Sequence, residues 1–352
     1  MGAWSVISGY GSMFPDRLPP PRPSPARGRG GQRSDTVLIL RRLAGALPSI
    51  VGVIVVTFLL TRALPGDPAA YFAGPAATQQ AIEEIRHKLG LDRSLPAQFV
   101  DYLGRLAHGD LGTSLTTGQP VSDDLLTRLP ASAELTLLGL LLSVAVAVPL
   151  GIAAAARPGS WVDHLCRVVS TAGVSLPTFF TGLLLILIFS VNLGWLPFVY
   201  RADLQATGWQ WWWESIKQAI MPITVLGLYQ AASYTRYVRS AVLDVIKLDY
   251  VTTARAKGLD ERKVIVKHVV RNALIPVVTL VALQMPTVFG GAIVTEQIFR
   301  IPGIGSLLIS AILANDTPVI MAVTFVFACL VVLFNLIADI LYGWLDPRIS
   351  FR

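Results

Sequence analysis

DYVTTARAKGLDERKVIVKHVVRNALIP, residues Asp249 to Pro276, is the one long basic segment set deep among strongly apolar ones. Its pattern predicts a short helix, a glycine stop, a second short helix and then the start of a membrane span. In the first helix Ala254 and Ala256 leave the backbone approachable, while Arg255 and Lys257 carry the charge. Gly258 is the residue that takes a left-handed conformation just past a helix end, and Leu259 then falls where a Schellman motif places its apolar contact. Asp260 is the candidate N-cap of the next helix and Glu261 suits its positive end, although Lys263 breaks the capping-box pattern. A helix that stops, turns and restarts beside a membrane is shaped to receive a partner.

Working outward, the surrounding chain is lipidic. Of 352 residues, 53% are hydrophobic and 14% charged, and mean hydropathy is +0.59, against roughly 25% charged residues in soluble domains. These values indicate an integral membrane protein. The net charge of +7 does not point to nucleic acid, because the basic residues gather at the ends of apolar segments instead of forming an aromatic-laced stripe. Cys166 and Cys329 lie within or beside apolar runs with no disulfide or ligand spacing, and read as small buried hydrophobes.

Residues 1–35, rich in Pro, Arg and Gly, are predicted to be a disordered basic cytoplasmic tail, and 36–352 the membrane domain. Leu43 to Leu60 is long enough to span, with Arg41 and Arg42 in front of it and LPGDP (Leu64–Pro68) behind. Residues 65–131 are expected to be an external loop carrying two amphipathic helical patterns, Gln79 to Leu89 and Leu95 to Leu106. Further spans are predicted at Leu135–Ala156, Leu165–Val191, Ile220–Val242, Leu274–Thr295 and Val319–Leu341, six in all with the first. Trp195, Trp209, Trp211, Trp212 and Trp213 mark an aromatic belt at the outer interface.

Charge sets the orientation. In the loop 243–271 and the turn before it, Arg236, Arg239, Lys247, Arg255, Lys257, Arg262, Lys263, Lys267 and Arg271 outnumber Asp244, Asp249, Asp260 and Glu261, which places this side in the cytoplasm. Both termini are expected on the same side.

The chain holds no HExxH, GxSxG or DFG signature, and His87, His108, His164 and His268 lack ligand-spaced partners. No lysine completes GxxxxGK[ST], so nucleotide is not hydrolysed here by a P-loop. Asp339 is the clearest ionisable residue within a span and reads as an interfacial or helix-packing acid. With neither a charge relay nor paired interrupted helices, an ion-coupled carrier is poorly supported, so the energy source is expected on a partner.

YVTTARAKGL (250–259) followed by KHVVRNALIPVV (267–278) resembles the cytoplasmic loop of the permease subunits of bacterial ABC importers, in the dipeptide, oligopeptide and nickel family. LRRLAGALPSIVGVIVVTFLLTRALPGDP (40–68), HGDLGTSLTTGQPV (108–121), RLPASAELTL (128–137), SLPTFFTGLLLILIFSVNLGWLP (175–197), VTEQIFRIPGIGSLL (294–308) and LYGWLDPRI (341–349) are similar to that family in the same order. The resemblance implies an all-α type I ABC importer permease with six transmembrane helices in the bacterial inner membrane. It also implies pairing with a second permease subunit, two ABC ATPase subunits and an external substrate-binding protein. ATP and Mg would be held by the ATPase partners and no cofactor by this chain, which is then a transport subunit and not an enzyme. Peptides are the family's commonest cargo, with nickel, glutathione or another small solute as alternatives.

In that superfamily the loop carries an EAA-xxx-G coupling motif. Ala254 and Gly258 match it, whereas Thr252 and Thr253 stand where the motif has Glu and Ala. The expected coupling helix therefore comprises Asp249, Tyr250, Thr252, Thr253, Ala254, Arg255, Ala256, Lys257, Gly258 and Leu259. On the other side of the membrane, Glu296, Arg300, Pro302, Gly303 and Gly305 are candidates for a gate or cargo contact, or simply for a tight loop before the last span.

Overall fold

The computed structural model describes residues 30–345 except 64–65, 75, 202–203 and 205–206, and side chains only between 44 and 341. The chain divides into two units, 1–44 and 45–352, and the helix packing lies within the second. The expected C-terminal segment DPRISFR and most of the 1–35 tail lie outside the described residues. Helix α1 (Gly30–Ala63) nevertheless begins inside the stretch expected to be disordered.

The region after α1 folds as three short helices, α2 (Pro68–Ala73), α3 (Gln79–Lys88) and α4 (Leu95–Ala107). Asp67 and Thr78 cap α2 and α3 by accepting from Ala69 and Ala81, which satisfies orphan N–H groups. The two amphipathic patterns are thus helices, and α4 turns its apolar stripe onto the bundle. Phe99 and Tyr102 meet Phe58 of α1 at ring-centroid distances of 5.2 and 6.3 Å, beside Ile54 and Met321.

α5 (Val121–Ala156) starts well before the expected Leu135, so residues 121–131 belong to a helix and not to the loop. Asp123 and Asp124 in its first turn suit the positive helix end, and the helix runs on through Pro130 and Pro149. α6 (Trp161–Ser175) and α7 (Thr178–Leu185), the latter extended by a wide π turn over Ile186–Asn192, replace the expected continuous span Leu165–Val191. They meet at 100°. The cause is Pro177, which disfavours helical backbone at the preceding residue; Leu176 is accordingly extended, φ −81 and ψ 125.

α8 (Trp209–Ile246) is the longest helix and lies along α5. Close approach is built from small residues: a Cβ on Gly151 would lie 2.6 Å from Val238 Cβ, and one on Gly227 2.7 Å from Leu142. The chain then passes through α9 (Asp249–Ala256), α10 (Glu261–Lys263), a π turn over Val264–Val270 and α11 (Arg271–Phe299). α12 (Ile304–Leu313) and α13 (Thr317–Leu345) complete the fold. The second short helix expected after Gly258 is therefore no separate element but the first turn of the long α10–α11 rod. α12 replaces what was read as a loop.

Among the described residues, four helices are long and apolar enough to cross a membrane, or up to six if each of two bent pairs is one span. The bent pairs are α6 with α7 and the end of α11 with α12. α8 occupies the expected span Ile220–Val242, but Gln230, Arg236 and Arg239 make it too polar for that group. Cys166 is buried and Cys329 half-buried, both as free thiols. Trp195, Trp209, Trp211, Trp212 and Trp213 are all exposed.

Candidate partner-docking site

α9 ends as its glycine requires. Gly258 has φ +74, its N–H reaches Arg255 O at 2.9 Å, and the Leu259 N–H reaches Ala254 O at 3.4 Å. These are the two bonds of a Schellman stop. Leu259 remains exposed.

One face of α9 is internal. Val251 and Ala254 pack with Ala155 of α5, Val238 and Val242 of α8, and Val264, Val269, Ala273 and Val277 of the α10–α11 rod. Ala254, at 6% exposure, is therefore an anchor to the protein's own core and not part of an approachable surface. Its small size admits α9 close to α5 and α8, which an i, i+3 pair of apolar residues accomplishes on one helix stripe.

The other face is open: Asp249, Tyr250, Thr252, Thr253, Arg255, Ala256, Lys257 and Gly258 are exposed. Two side-chain clamps hold this face to the rod. Tyr250 Oη donates to His268 O at 3.2 Å and accepts from Asn272 Nδ2 at 2.9 Å. Arg255 makes a bidentate pair with Glu261, Nε to Oε2 at 3.1 Å and Nη2 to Oε1 at 2.7 Å. This pairing raises the Arg255 pKa above its ordinary value and ties Arg255 across the Gly258 turn, so Lys257, at the C-cap of α9, is a nearby basic residue outside any ion pair among the described residues. Asp260 stands at the N-cap position but makes no side-chain cap, and Glu261 spends both oxygens on Arg255. Thr253 Oγ1 donates to Asp249 O at 2.8 Å, which leaves the Thr252 hydroxyl as the outward one at the position of the motif's carboxylate.

The second candidate set lies at the far end of α11, a helix of 29 residues and so about 40 Å long at 1.5 Å per residue. The structure therefore does not bring the two sets together. Glu296 is 1% exposed and accepts from Ser132 Oγ of α5 at 2.6 Å and from Ser306 N–H of α12 at 2.8 Å. Ser132 Oγ in turn accepts from Ile304 N–H at 2.8 Å. Gly303 and Gly305 leave room for this carboxylate: a Cβ on Gly303 would fall 2.2 Å from Glu296 Cδ, and one on Gly305 2.9 Å from Oε2 and 2.8 Å from the Ile293 backbone. Arg300 itself takes the left-handed C-cap, φ 55, with Ile301 N–H bonded to Glu296 O at 2.9 Å. Pro302 is half-buried. Glu296, Gly303 and Gly305 thus form a buried knot joining α5, α11 and α12, and Glu296 faces no open path.

Sequence reasoning missed Ser132 as Glu296's partner, and it missed a second knot. Asp163, 1% exposed, receives Arg239 Nε at 2.6 Å and Nη2 at 2.9 Å, and the Gly159 N–H at 3.0 Å. This fastens the α5–α6 turn to α8 about two turns before the end of α8. The only signal was a lone acid beside a short basic connector, too weak to pair with a residue 76 positions away.

Residues 147–351 match the family described as "Binding-protein-dependent transport system inner membrane component", and residues 36–136 match its N-terminal counterpart. The di/tripeptide transport system permease protein DppB of Pseudomonas aeruginosa is 43% identical over 328 residues, covering 88% of this chain and 98% of the relative. The oligopeptide permease protein AppB of Bacillus subtilis is 40% identical, covering 89% and 99%. The glutathione permease protein GsiC of Salmonella typhimurium is also 40% identical, covering 89% and 99%. Among solved structures, the MetNI methionine ABC transporter in an inward-facing conformation superposes with a TM-score of 0.50 at 16% identity, covering 63% of this chain and 96% of that one. That likeness concerns the fold.

Proposed function

This chain belongs to the family of binding-protein-dependent transport system inner membrane components, and from that membership we propose that it forms half of an ATP-driven import pathway for di- or oligopeptides. Its partners are a second permease subunit, two ATPase subunits that bind and hydrolyse ATP with Mg, and an external receptor protein. The loop 243–271 and both termini lie in the cytoplasm, as the positive-inside rule requires.

The observation that carries the mechanism is the two-sided burial of α9. Its outer face, with Thr252, Thr253, Ala256 and Lys257 exposed, is available to an ATPase cleft. Its inner face is packed into the same apolar cluster as α5, α8 and the α10–α11 rod, and Tyr250 and Arg255 pin it to that rod. A push on α9 therefore moves the rod as a rigid body instead of bending a loop, which is the kind of motion that alternates access. The chain makes and breaks no bonds; it works through differential contacts in two states.

The test is uptake of a labelled dipeptide into proteoliposomes containing the four membrane and ATPase subunits, with receptor added outside. Accumulation is expected only with ATP and receptor together. Accumulation without nucleotide would make the chain part of a carrier, and a converted product would make it an enzyme. Glutathione competing as well as dipeptide would shift the cargo to that tripeptide.

A further inference from the structure

A cavity of about 480 Å³ lies against the first turns of α5, bordered by Gln119, Asp124, Arg128, Glu134, Tyr200 and Pro302. Its volume is within the range of small-ligand sites. Arg128 is half-buried, and neither it, Asp124 nor Glu134 makes a hydrogen bond or ion pair among the described residues. Opposite charges thus stand on one wall and stay apart. Helical geometry parts Arg128 from Glu134, six residues on and about 9 Å further along the axis, whereas Asp124 lies one turn before Arg128 on the same face.

The lining also includes Asp123 and Thr127, with Pro130, Ala131 and Pro302 as its apolar part. Pro302 and Ala131 flank the buried Glu296 knot, and the Tyr200 N–H is bonded to Phe299 O at 3.1 Å. Such a cavity offers one cation, Arg128, among the carboxylates of Asp123, Asp124 and Glu134. Two or three peptide residues reach at most about 7–11 Å, comparable with the roughly 9 Å of helix rise between the backbone positions of Arg128 and Glu134.

We propose that this cavity is a receiving subsite for a short zwitterionic peptide, with Arg128 taking the terminal carboxylate and Glu134 the terminal ammonium. The proposal rests on the reading of the chain as a peptide permease and adds how cargo of variable sequence is held after release from the receptor. Charge-assisted bonds to the ends serve every short peptide alike.

The complete transporter, reconstituted with its receptor, would be assayed for ATP-dependent uptake of dialanine, dialanine amide and N-acetyl-dialanine. Each variant is compared with the parent using the same receptor, so the receptor's own preference cancels. Arg128→Gln is expected to lower kcat/KM for dialanine about 10-fold or more, the scale of one charged hydrogen bond, while leaving the amide unchanged. Glu134→Gln should do the same for dialanine and spare the N-acetyl peptide, and Arg128→Lys should restore part of the selectivity. Receptor-stimulated ATPase activity should stay at the parent's level in all three. Equal loss for every peptide together with weaker receptor stimulation would make the cavity a receptor contact, and unchanged uptake ratios would remove the subsite; both overturn the proposal. A parent transporter that accumulates none of the peptides would instead overturn the peptide-permease reading beneath it.

Discussion

Gly303→Ala isolates the Glu296 knot from backbone effects. Gly303 has φ −99, a region open to every residue, so alanine adds no conformational strain. What it adds is a methyl 2.2 Å from Glu296 Cδ and 2.3 and 2.4 Å from the carboxylate oxygens. That carboxylate cannot step aside, because it is 1% exposed and held by Ser132 and Ser306 at 2.6 and 2.8 Å. Displacing it forfeits at least these two bonds, each worth about 1.5–3 kcal/mol to a charged acceptor, so the substitution should cost roughly 3–6 kcal/mol. Thermal unfolding of the purified complex in detergent, followed with a thiol-reactive dye that reports the buried Cys166, should fall by roughly 6 °C or more, at about 2–4 °C per kcal/mol. Glu296→Ala alone should also destabilise, since it strands the Ser132 and Ser306 donors. In the double variant the new methyl occupies space the carboxylate has left, so its cost should fall short of the sum by about 1 kcal/mol or more. A Gly303→Ala protein as stable as the parent, or strictly additive single effects, would refute the steric account of the knot.

Three other outcomes are expected on the docking side. Gly258→Val should insert into the membrane yet lose most uptake, because φ +74 costs a branched residue about 1–2 kcal/mol. Nothing lies within 4 Å of the added Cβ, so Gly258→Asn, which tolerates that backbone, should transport nearly as the parent does; full uptake by the valine variant would sink the coupling geometry. Reversing Lys257 to Glu should weaken co-purification with the ATPase subunits at physiological salt, whereas reversing Arg255 also sets two acids together with Glu261 and should be relieved by Glu261→Arg. Retained co-purification of the Lys257 variant would leave the loop's charge serving topology alone. Arg239→Ala should destabilise by about 2–3 kcal/mol, below the roughly 3–5 kcal/mol of a fully buried pair because the Arg239 side chain is 24% exposed, and Arg239→Lys should recover little of it since lysine cannot bridge both Asp163 oxygens; an unaltered melting temperature in the alanine variant would show the pair to be dispensable, and in the lysine variant alone would show that a single contact suffices.

Much of this architecture was legible in one dimension because it rests on local physics. A left-handed glycine after a short helix specifies its own stop, and Gly258 forms the Schellman bonds that its neighbours suggested. The amphipathic periodicity near Gln79 and Leu95 produced α3 and α4 as expected. Apolar length located α1, α5, α11 and α13. Local signals failed where an apolar run concealed a break: Leu165–Val191 is hydrophobic enough to read as one span, yet Pro177 divides it at 100°. They also failed at 304–313, where glycine and proline suggested a loop and the packing of Ile304 and Leu307 against Val121 and Leu125 made a helix.

The sequence by itself thus determined that this is an all-helical membrane protein with a basic segment in which a short helix stops and restarts, since hydropathy, charge bias and helix stops act over a few residues at a time. Only the tertiary structure decided which face each of those residues presents. Ala254 and Ala256 are equivalent in composition, but 100° per residue of helix rotation sends the first into the core with Val251 and leaves the second outside. Glu296 is an ordinary exposed-loop acid until Ser132, 164 residues earlier, folds beside it and turns it into a buried knot. Contacts of that sequence separation leave no local trace, because they arise only when α5, α11 and α12 pack.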